Sequence, residues 1–425
     1  MIMHETHFRE AALLILIDDG HLRWPVEVIA QEFKSLVDSA GIAVVELAVV
    51  KLRDFSPSLY IGSGKADEIA LFVKEAEVDV VIFNNDLKAS QQRNLEDIFQ
   101  VKTIDRTQLI LDIFALHAHT QEGKLQVELA QLNYLLPRLK GKGVMLSRLG
   151  GGIGTRGPGE TKLELDRRKI AERIVRLESD LQSVRSSRET MRKKRRKEKV
   201  RLCSLVGYTS AGKSTLFNAL TQGSEKTAAT LFTTLDTVTH ILTIHGNLKV
   251  LISDTVGFIH DLPLGLVESF KATLEELQYA DLLLHVVDCA DKEHARLLYA
   301  VEDILKDLKL EAKPLLRVFN KIDLLEPADL AVLKKDWPDA VFVSAKENIN
   351  LDGLQENIYR LSFEDFKEVS VCVPFTAMDT LDYIHKNCEI IKIDHTDKAS
   401  IYWVKAKSEH VDYLRKKGLI VKEIA

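Results

Sequence analysis

The stretch Gly207-Tyr208-Thr209-Ser210-Ala211-Gly212-Lys213-Ser214 decides the fold of the largest part of this chain. It follows the apolar, strand-like run Leu202–Leu205 and precedes a helical pattern over Thr215–Leu220. In this strand–loop–helix context it is a P-loop, in which glycines let backbone N–H groups approach phosphate oxygens. We expect Lys213 to contact the β- and γ-phosphates and Ser214 to bind Mg²⁺. The pattern predicts an α/β fold with a mostly parallel sheet and helices on both faces.

An acidic motif ends the next apolar strand segment, Val250–Ser253. It reads Asp254-Thr255-Val256-Gly257 and begins 40 residues after Ser214. A carboxylate at the tip of the strand beside a P-loop can hold the magnesium ion, and the Gly257 backbone N–H can contact the γ-phosphate. We therefore assign this motif to the same nucleotide site.

The first switch segment should lie between these two motifs, in Leu231-Phe232-Thr233-Thr234-Leu235-Asp236. A threonine here must complete the coordination of the magnesium ion. Thr233 and Thr234 are adjacent, and their spacing from the other motifs does not choose between them. We assign Phe232, Thr233 and Thr234 to the nucleotide site.

Two further motifs identify the base. Asn320-Lys321-Ile322-Asp323 stands at a predicted strand end, and Ser344-Ala345-Lys346 follows the last strand. The Asp323 carboxylate can accept hydrogen bonds from N1–H and N2–H₂ of guanine, a donor pair that adenine lacks. We expect Lys321 to cover the ring plane and the 344–346 backbone to donate to the guanine oxygen. The four motifs in this order predict a GTP site.

One position departs from many GTP-hydrolysing proteins. These proteins often place a glutamine after the glycine of the acidic motif, where it orients the attacking water. Here that position is Phe258, whose ring cannot hydrogen-bond that water properly. We expect slow hydrolysis by the isolated protein and acceleration by a partner.

Composition and periodicity divide the chain into four predicted domains. Residues 1–115 predict a small α/β domain with a largely parallel sheet, and residues 116–199 predict a helical hairpin. Residues 200–366 form the P-loop domain, and residues 367–425 predict a small α+β domain. The strands predicted in the first domain are Ala11–Ile17, Ala43–Lys51, Val78–Phe83 and Val101–Ile104, with helices over Val26–Ala40, Lys65–Glu75 and Lys88–Phe99.

Two leucine-rich stripes at steps of three and four residues predict the hairpin, which would pack as an antiparallel pair of helices. Pro137 would kink the first helix near its end. A glycine-rich loop over residues 150–159, with six glycines, separates the helices. It is either a flexible connector or a switchable loop whose Arg156 approaches phosphate of a nucleotide or of RNA. The stripes comprise Leu125, Leu129, Leu132, Leu136 and Leu139, then Leu163, Ile170, Ile174, Leu177, Leu181 and Val184.

Positive charge is concentrated at the end of the second helix. Residues 160–199 contain 15 Lys and Arg against 8 Asp and Glu, a net charge of +7, although the whole chain carries −5. Such a run is either a solvated helix end or a contact with nucleic acid, which would relieve the repulsion among like charges. The candidate RNA-binding residues are Arg192, Lys193, Lys194, Arg195, Arg196 and Lys197.

The bulk composition of the 425 residues is that of a globular protein, with 46% hydrophobic residues. No run approaches the roughly 18 apolar residues of a membrane span, so we expect no stable membrane insertion. The four cysteines form no CxxC pair, and buried apolar roles in a reducing cytoplasm are expected for them. We expect a monomer.

Several segments together resemble one known family. They are Tyr60–Lys65, Leu125–Leu139, the loop Gly150–Thr161, Leu163–Arg168, the P-loop Gly207–Ser214 and Thr255–Ile259. With these residues the chain resembles the HflX family of ribosome-associated GTPases over nearly its whole length. The family often has Asn at the position of Ser210, a departure that we expect to be harmless because the backbone binds the phosphates.

The resemblance implies that Thr234 is the switch threonine. Ser214, Thr234 and Asp254 are then the expected Mg²⁺ ligands, and Lys213, Thr234 and Gly257 the expected catalytic residues. It also implies a cytoplasmic, partly ribosome-associated protein that binds GTP and GDP. Through ribosomal RNA and protein it would bind the large ribosomal subunit, and in the GTP state it would split idle or stalled ribosomes, notably after heat stress. The hairpin would reach towards the peptidyl-transferase region.

Two other functions fit parts of the sequence. The chain could be a signalling or assembly GTPase that recruits a protein partner without RNA. It could also be an RNA-remodelling ATPase, since relatives are credited with secondary ATP turnover through the N-terminal domain. The segment Gly62-Ser63-Gly64-Lys65 is too short for a P-loop, and we interpret it as a turn.

Overall fold

The computed structural model describes most of the chain, and its contacts divide it into two compact units, residues 1–351 and 352–425. The division into four domains, which was made from the sequence, stays a prediction. The described residues are 10–22, 24–139, 158–198, 200–221, 232, 238–244, 248–260, 276–363, 366–375, 377–396 and 399–423.

The first layer of the larger unit comprises β1 (Ala11–Asp18), α1 (Val26–Ser39), β2 (Ala43–Lys51), α2 (Ser63–Glu75), β3 (Val80–Phe83), α3 (Ala89–Phe99), β4 (Lys102–Ile104) and α4 (Arg106–His117). Its four strands are all parallel, in the order β2-β1-β3-β4. Leu14 and Leu16 pack into one hydrophobic core, and Leu13 and Ile15 into another. Both faces of the central strand are buried, which confirms the predicted α/β layer.

Two local interpretations of this layer were wrong or incomplete. Ser63, Gly64 and Lys65 do not form a turn but begin α2, with Gly62 as the residue before the helix. No element was predicted from the sequence over α4, in which Leu109–Leu111, Ile113 and Phe114 are all buried. The exposed side of α4 carries the apolar residues Ala115 and Leu116, so the helix lacks the contrast between an apolar and a polar side that identifies a surface helix.

The predicted hairpin consists of α5 (Gln121–Arg138) and α6 (Pro158–Glu198), which pack against each other. Arg173 pairs with Glu128, and Arg188, further along α6, pairs with Glu122, earlier on α5. That reversal of order shows antiparallel packing. Leu177 and Leu181 are buried, in agreement with the predicted stripe of α6.

The two hairpin helices also differ from the expectation. The leucines predicted for the first helix are only half-buried, and the buried residues of α5 are Gly123, Gln126, Val127 and Ala130. Val127 and Ala130 belong to the core of the first layer, so α5 packs on two sides. Helix α6 begins at Pro158, inside the predicted loop, because proline is well accommodated in the first helical turn. The rest of that loop, with Arg156, lies outside the described residues.

The second layer of the larger unit is a six-stranded sheet in the order β10-β9-β8-β5-β7-β6. All neighbouring strands are parallel except the edge pair of β6 and β7. This confirms the mostly parallel sheet predicted from the P-loop. Its elements are β5 (Arg201–Gly207), α7 (Lys213–Thr221), β6 (Val238–Ile244), β7 (Leu248–Asp254), β8 (Leu282–Asp288), α8 (His294–Asp307), β9 (Leu315–Asn320), α9 (Pro327–Asp336) and β10 (Val341–Phe342).

The smaller unit is an antiparallel sheet with helices, as expected for the α+β tail. Its strand order is β12-β13-β11-β14. Val369, Val371 and Val373 alternate along one strand and face a core that includes Val411 and Leu414 of the last helix. The elements are α10 (Leu351–Ser362), β11 (Phe366–Pro374), α11 (Met378–Asn387), β12 (Glu389–His395), β13 (Ala399–Lys407), α12 (Ser408–Lys416) and β14 (Ile420–Glu423).

Two general properties concern the whole described chain. All four cysteines are free thiols; three are buried and Cys372 is half-buried. Within the described ranges, no helix combines the length and apolar character needed to cross a membrane.

A buried carboxylate joins the first layer to α5. Asp105 accepts hydrogen bonds from the backbone N–H groups of Leu87 and Gln108, from the Tyr134 hydroxyl at 2.9 Å and from the Arg138 guanidinium at 2.9 Å. Burial raises the pKa of the Asp105 carboxyl, and these hydrogen bonds act in the opposite direction. Because Tyr134 and Arg138 lie on α5, this carboxylate sets where the hairpin leaves the layer.

We expect Asp105→Ala to lower the free energy of unfolding by roughly 3 kcal/mol, because it removes the negative charge that pairs with the largely buried Arg138 guanidinium. Urea denaturation followed by circular dichroism measures the change. Asp303→Ala, which removes an exposed ion pair with Lys306 on α8, is the control and should leave the unfolding curve unchanged. Equal curves for the two variants would contradict the assigned role of Asp105.

Candidate nucleotide-binding site

Lys213 begins α7 and points back into the P-loop. Its ammonium donates to the backbone oxygens of Tyr208 at 2.8 Å and Gly207 at 3.2 Å. Burial lowers the pKa of the Lys213 ammonium to about 8, and the nearby Asp254 carboxylate opposes the shift. The lysine is therefore held where P-loop lysines meet phosphate, in surroundings that favour a negatively charged ligand.

The side-chain amide of Asn320 joins three loops of the site. Its Nδ2 donates to the Ala211 backbone oxygen at 2.9 Å, and its Oδ1 accepts from the Ala345 backbone N–H at 3.0 Å. A Cβ on Gly212 would lie 2.2 Å from Asn320 Nδ2, so only glycine permits this approach. The amide thus connects the P-loop to the 344–346 loop, and the Ala345 N–H that we expected at the guanine oxygen is used inside the protein.

Ser214 and Asp254 meet as predicted for a magnesium site. The Ser214 hydroxyl donates to Asp254 Oδ2 at 2.7 Å, and the Asp254 carboxylate is almost fully buried. A hydroxyl and a carboxylate are hard oxygen donors of the kind that Mg²⁺ prefers. These two residues fit a magnesium ion; Thr233 and Thr234, the candidates for the third ligand, lie outside the described residues.

The residue after the acidic motif, Phe258, is hydrogen-bonded to the P-loop through its backbone. The Thr209 N–H donates to the Phe258 oxygen at 2.8 Å, and the Phe258 N–H donates to the Gly207 oxygen at 3.1 Å. A Cβ on Gly257 would lie 2.9 Å from the Lys213 ammonium nitrogen, which explains the glycine. The Thr255 hydroxyl donates to the Leu205 oxygen of β5 at 2.6 Å, so this side chain holds strands together.

Phe258 is a core residue. It is buried against Val206, Leu277 and Leu283, and its ring is only 3% exposed. The position that carries a water-orienting glutamine in many GTPases is thus occupied by part of the hydrophobic core.

The base-recognition residues lie together at the ends of β9 and β10. Lys321 has a left-handed backbone conformation and precedes the short 3₁₀-helix Ile322–Leu324, which presents Asp323 at the exposed surface. Ser344 is fully buried, and its hydroxyl accepts from the Glu347 backbone N–H at 3.1 Å. Lys346 is exposed, 3.7 Å from the Glu347 carboxylate. The strand ends thus bring Lys321 and Asp323 to the edge that also carries the P-loop.

Two buried groups near the site are uncharged at neutral pH. Burial, followed by the positive charges of Arg317 and Lys213, lowers the pKa of the His285 imidazole to about 3. Burial and the Asp288 carboxylate raise the pKa of the Cys289 thiol to about 12. A neutral thiol is a poor nucleophile, which agrees with the apolar role predicted for the cysteines.

A polar contact between the first layer and the site was not predicted from the sequence. The Tyr208 hydroxyl, in the P-loop, is hydrogen-bonded to Glu32 of α1 and accepts from the His260 backbone N–H at 2.7 Å. Arg106 of α4 donates to Glu32 at 2.6 Å and to the His260 backbone oxygen at 2.8 Å. Burial and Glu32 raise the pKa of the Tyr208 phenol, so it remains a donor. The tyrosine inside the P-loop was the one sign of this contact in the sequence, but the residue that it contacts, Glu32, is 176 residues away.

An apolar side chain of the first switch segment lies in the core of the first layer. Side chains in and just after the acidic motif, here called the second switch segment, also lie in or against that core. Phe232 and Ile259 are buried in that core, and Val256 packs against it. The Phe232 ring meets the Phe114 ring of α4 edge-on, with centroids 4.7 Å apart. The predicted nucleotide-binding residues Phe232 and Val256 therefore contact the N-terminal layer.

The candidate RNA-binding residues are only partly placed. Arg192 to Lys197 lie on α6, whose last residues directly precede β5, and their side chains are outside the described set. Arg156 is likewise not described. RNA contact by these residues stays a prediction.

We expect GTP binding at pH 9 to take up close to one proton, because Lys213, with a pKa of about 8, is mostly neutral there and the triphosphate restores its charge. Affinity for GTP should fall as pH rises from 7 to 9. Calorimetry in two buffers with different ionisation enthalpies measures the uptake. In Lys213→Arg the cation stays charged and the uptake should vanish. A wild-type protein that takes up no proton at pH 9 would refute the assignment.

Comparisons with known proteins cover most of the larger unit. Family profiles described as GTP-binding GTPase N-terminal, GTP-binding GTPase Middle Region and 50S ribosome-binding GTPase match residues 28–115, 117–195 and 202–321. A GTP-binding protein from the archaeon Sulfolobus solfataricus, solved in complex with GDP, is 27% identical with a TM-score of 0.45, covering 84% of this chain and 99% of that one.

Curated relatives are more similar. GTPase HflX of Caldanaerobacter subterraneus subsp. tengcongensis is 45% identical over 367 residues, which cover 86% of this chain and 85% of the relative. GTPase HflX of Escherichia coli is 45% identical over 337 residues, covering 79% of each chain. With this identity and the geometry of its nucleotide site, the chain belongs to the HflX family of GTPases and is a GTP hydrolase.

Proposed function

We propose that this GTPase binds the large ribosomal subunit and, in its GTP state, splits idle or stalled ribosomes into subunits. The observation that carries the proposal is the burial of switch residues Phe232 and Ile259 in the core of the N-terminal layer. The description of the matching family profile, a 50S ribosome-binding GTPase, supports the partner. The predicted location in the cytoplasm and the response to heat stress belong to the same proposal.

The nucleotide state is transmitted through that contact. GTPase switches rearrange when a γ-phosphate is bound. Val256 lies next to Gly257, the residue expected to contact that phosphate, and packs against the core that also contains Phe114 and Val127. Because a packed core resists gradual deformation, a shift of the switch must move the layer or break the contact. Either response changes the surface that the layer and its attached hairpin present to a partner.

The hairpin separates two candidate RNA contacts. At 41 residues, α6 is roughly 60 Å long at the helical rise of about 1.5 Å per residue. Its basic end, with Arg192–Lys197, adjoins the nucleotide-binding layer, while Pro158 at its other end adjoins the glycine-rich loop. The basic end would bind ribosomal RNA, and the loop with Arg156 would reach towards the peptidyl-transferase region.

The site supports slow hydrolysis by the isolated chain. A water oxygen forms a bond to the γ-phosphorus, the bond to the β-phosphate oxygen breaks, and GDP leaves with the electron pair while the water proton passes to phosphate. Ser214 and Asp254 would hold a magnesium ion, which would supply positive charge to the phosphate oxygens. Lys213 adds charge and the Gly257 N–H can hold the γ-phosphate. Phe258 offers no polar group to the water, so a partner must order it.

We expect purified large ribosomal subunits to accelerate single-turnover GTP hydrolysis at least 10-fold, because they complete the arrangement of the attacking water. Rapid-quench measurements with and without subunits test this. Co-sedimentation with a non-hydrolysable GTP analogue should weaken steeply with salt, as expected for phosphate contacts. Lys213→Ala is the control without nucleotide binding. If the protein shows no GTP-dependent binding to large subunits, the rival role is favoured, in which it recruits a protein partner without RNA.

We expect the wild-type protein to bind large subunits more tightly with GTP than with GDP. Glu32→Gln should lower the ratio of these two affinities by about 10-fold, which corresponds to a typical coupling free energy. The variant loses the ion pair with Arg106 and weakens the contact with Tyr208, while the groups that bind nucleotide remain. Subunit affinity with GTP analogue and with GDP measures the preference. Glu68→Gln, which removes the exposed pair with Lys65, is the matched control. An unchanged preference in Glu32→Gln would refute transmission through this contact.

A further inference from the structure

A carboxylate outside the four nucleotide motifs fixes one of their side chains. Asp288 ends β8 and lies beside Asn320, its register partner on β9. Its Oδ1 accepts from the Ala290 backbone N–H at 3.0 Å, and its Oδ2 accepts from the Lys321 ammonium at 2.6 Å. The bond to Ala290 holds the carboxylate in a fixed orientation, so the lysine head is held at a defined point.

The backbone of Lys321 is in an unfavourable conformation that defines the direction of its side chain. Its φ of 68° and ψ of 35° are left-handed, a region that few residues other than glycine adopt. The stem runs beside the P-loop: a Cβ on Gly212 would lie 4.0 Å from Lys321 Cε. The Lys321 side chain is therefore fixed at its backbone end, passes beside Gly212 of the P-loop, and is fixed at its ammonium group by Asp288.

We propose that Asp288 is a positioning residue for guanine nucleotides, which acts by holding the Lys321 stem as a preformed wall for the base. The proposal rests on the placement of Lys321 against the ring plane, which the sequence motif predicts. A free lysine side chain loses rotamer freedom when it is ordered, and that loss weakens the binding that orders it. With its head held by Asp288, Lys321 loses that freedom on folding, and the nucleotide gains affinity through preorganisation.

The proposal separates affinity from base selectivity. Lys321 would cover the face of the ring, which guanine and adenine share, whereas Asp323 would read the edge, where they differ. Loss of Asp288 should therefore weaken GTP and GDP equally and leave the preference for guanine intact. Loss of Asp323 should remove that preference.

The test is Asp288→Asn in the full-length protein. Asparagine keeps the Oδ1 acceptor for Ala290 and removes the charge that holds Lys321. We expect the dissociation constants of GTP and GDP, measured by calorimetry, to rise together by about 10-fold. The ratio of GDP to ADP affinity should not change, whereas Asp323→Ala should lower it. A rise for GTP alone, or a changed base preference, would overturn the proposal.

The matched control is Glu302→Gln, which breaks the pair of Arg317 and Glu302 between β9 and α8. That pair has the same 2.6 Å separation and comparable side-chain exposure, but it contacts no nucleotide motif. We expect unchanged nucleotide affinity. An equal loss in Glu302→Gln would show a general effect of destabilising the sheet and would refute a specific role of Asp288.

A double-mutant cycle with Lys321→Met shows whether Asp288 acts through the lysine. Methionine keeps an apolar stem but has no head for Asp288 to hold. If the proposal is right, Asp288→Asn causes no further loss in the Lys321→Met background. Additive losses would overturn it. If Lys321→Met alone leaves affinity unchanged, the placement of Lys321 against the base is wrong, a result distinct from failure of Asp288.

Discussion

The buried amide of Asn320 is the interaction on which the nucleotide site depends. The P-loop, the base-recognition motif and the 344–346 loop follow three different strands, and parallel pairing brings their ends to one edge of the sheet. Pairing alone does not fix the loops relative to one another. Asn320 does so with one donor and one acceptor, used on Ala211 and Ala345. Gly212 has no side chain because the amide occupies that space. The phosphate and base subsites are therefore connected through one buried side chain.

Phe258 shows how one residue can serve the fold and limit the chemistry. Its backbone pairs with the P-loop on both sides, and its ring fills the core beneath the acidic motif. A glutamine there would bury an amide among apolar side chains, at a cost of about 1–3 kcal/mol unless it found partners. The hydrophobic residue thus stabilises the junction of P-loop and switch. Because the Phe258 side chain cannot hydrogen-bond the attacking water, another group must order that water.

Local patterns predicted much of the fold, and the failures have physical causes. Strands of the first layer lie within two residues of their predicted starts, because alternating and continuous apolar runs are local signals. The start of α2 was misplaced because its Gly-Ser-Gly sequence is also typical of turns. The less buried side of helix α4 mixes polar residues with apolar Ala115 and Leu116, so its sequence has no clear one-sided apolar stripe. The second buried face of α5, and the contact of Glu32 with Tyr208, depend on residues distant in sequence, which no window of neighbours contains.

The contact between the switches and the N-terminal layer has a consequence that follows from thermodynamics alone. Binding free energies that are coupled must be coupled equally in both directions. If GTP changes the affinity of the layer or hairpin for a partner, that partner changes the affinity for GTP by the same factor. Arg106, Glu32 and Tyr208 form a short buried path for this coupling, from a helix of the layer to the P-loop itself. The second residue of this P-loop, Tyr208, therefore contacts the first layer, and if that contact couples the two sites, a partner bound to the first layer changes the affinity of the phosphate site by the same factor.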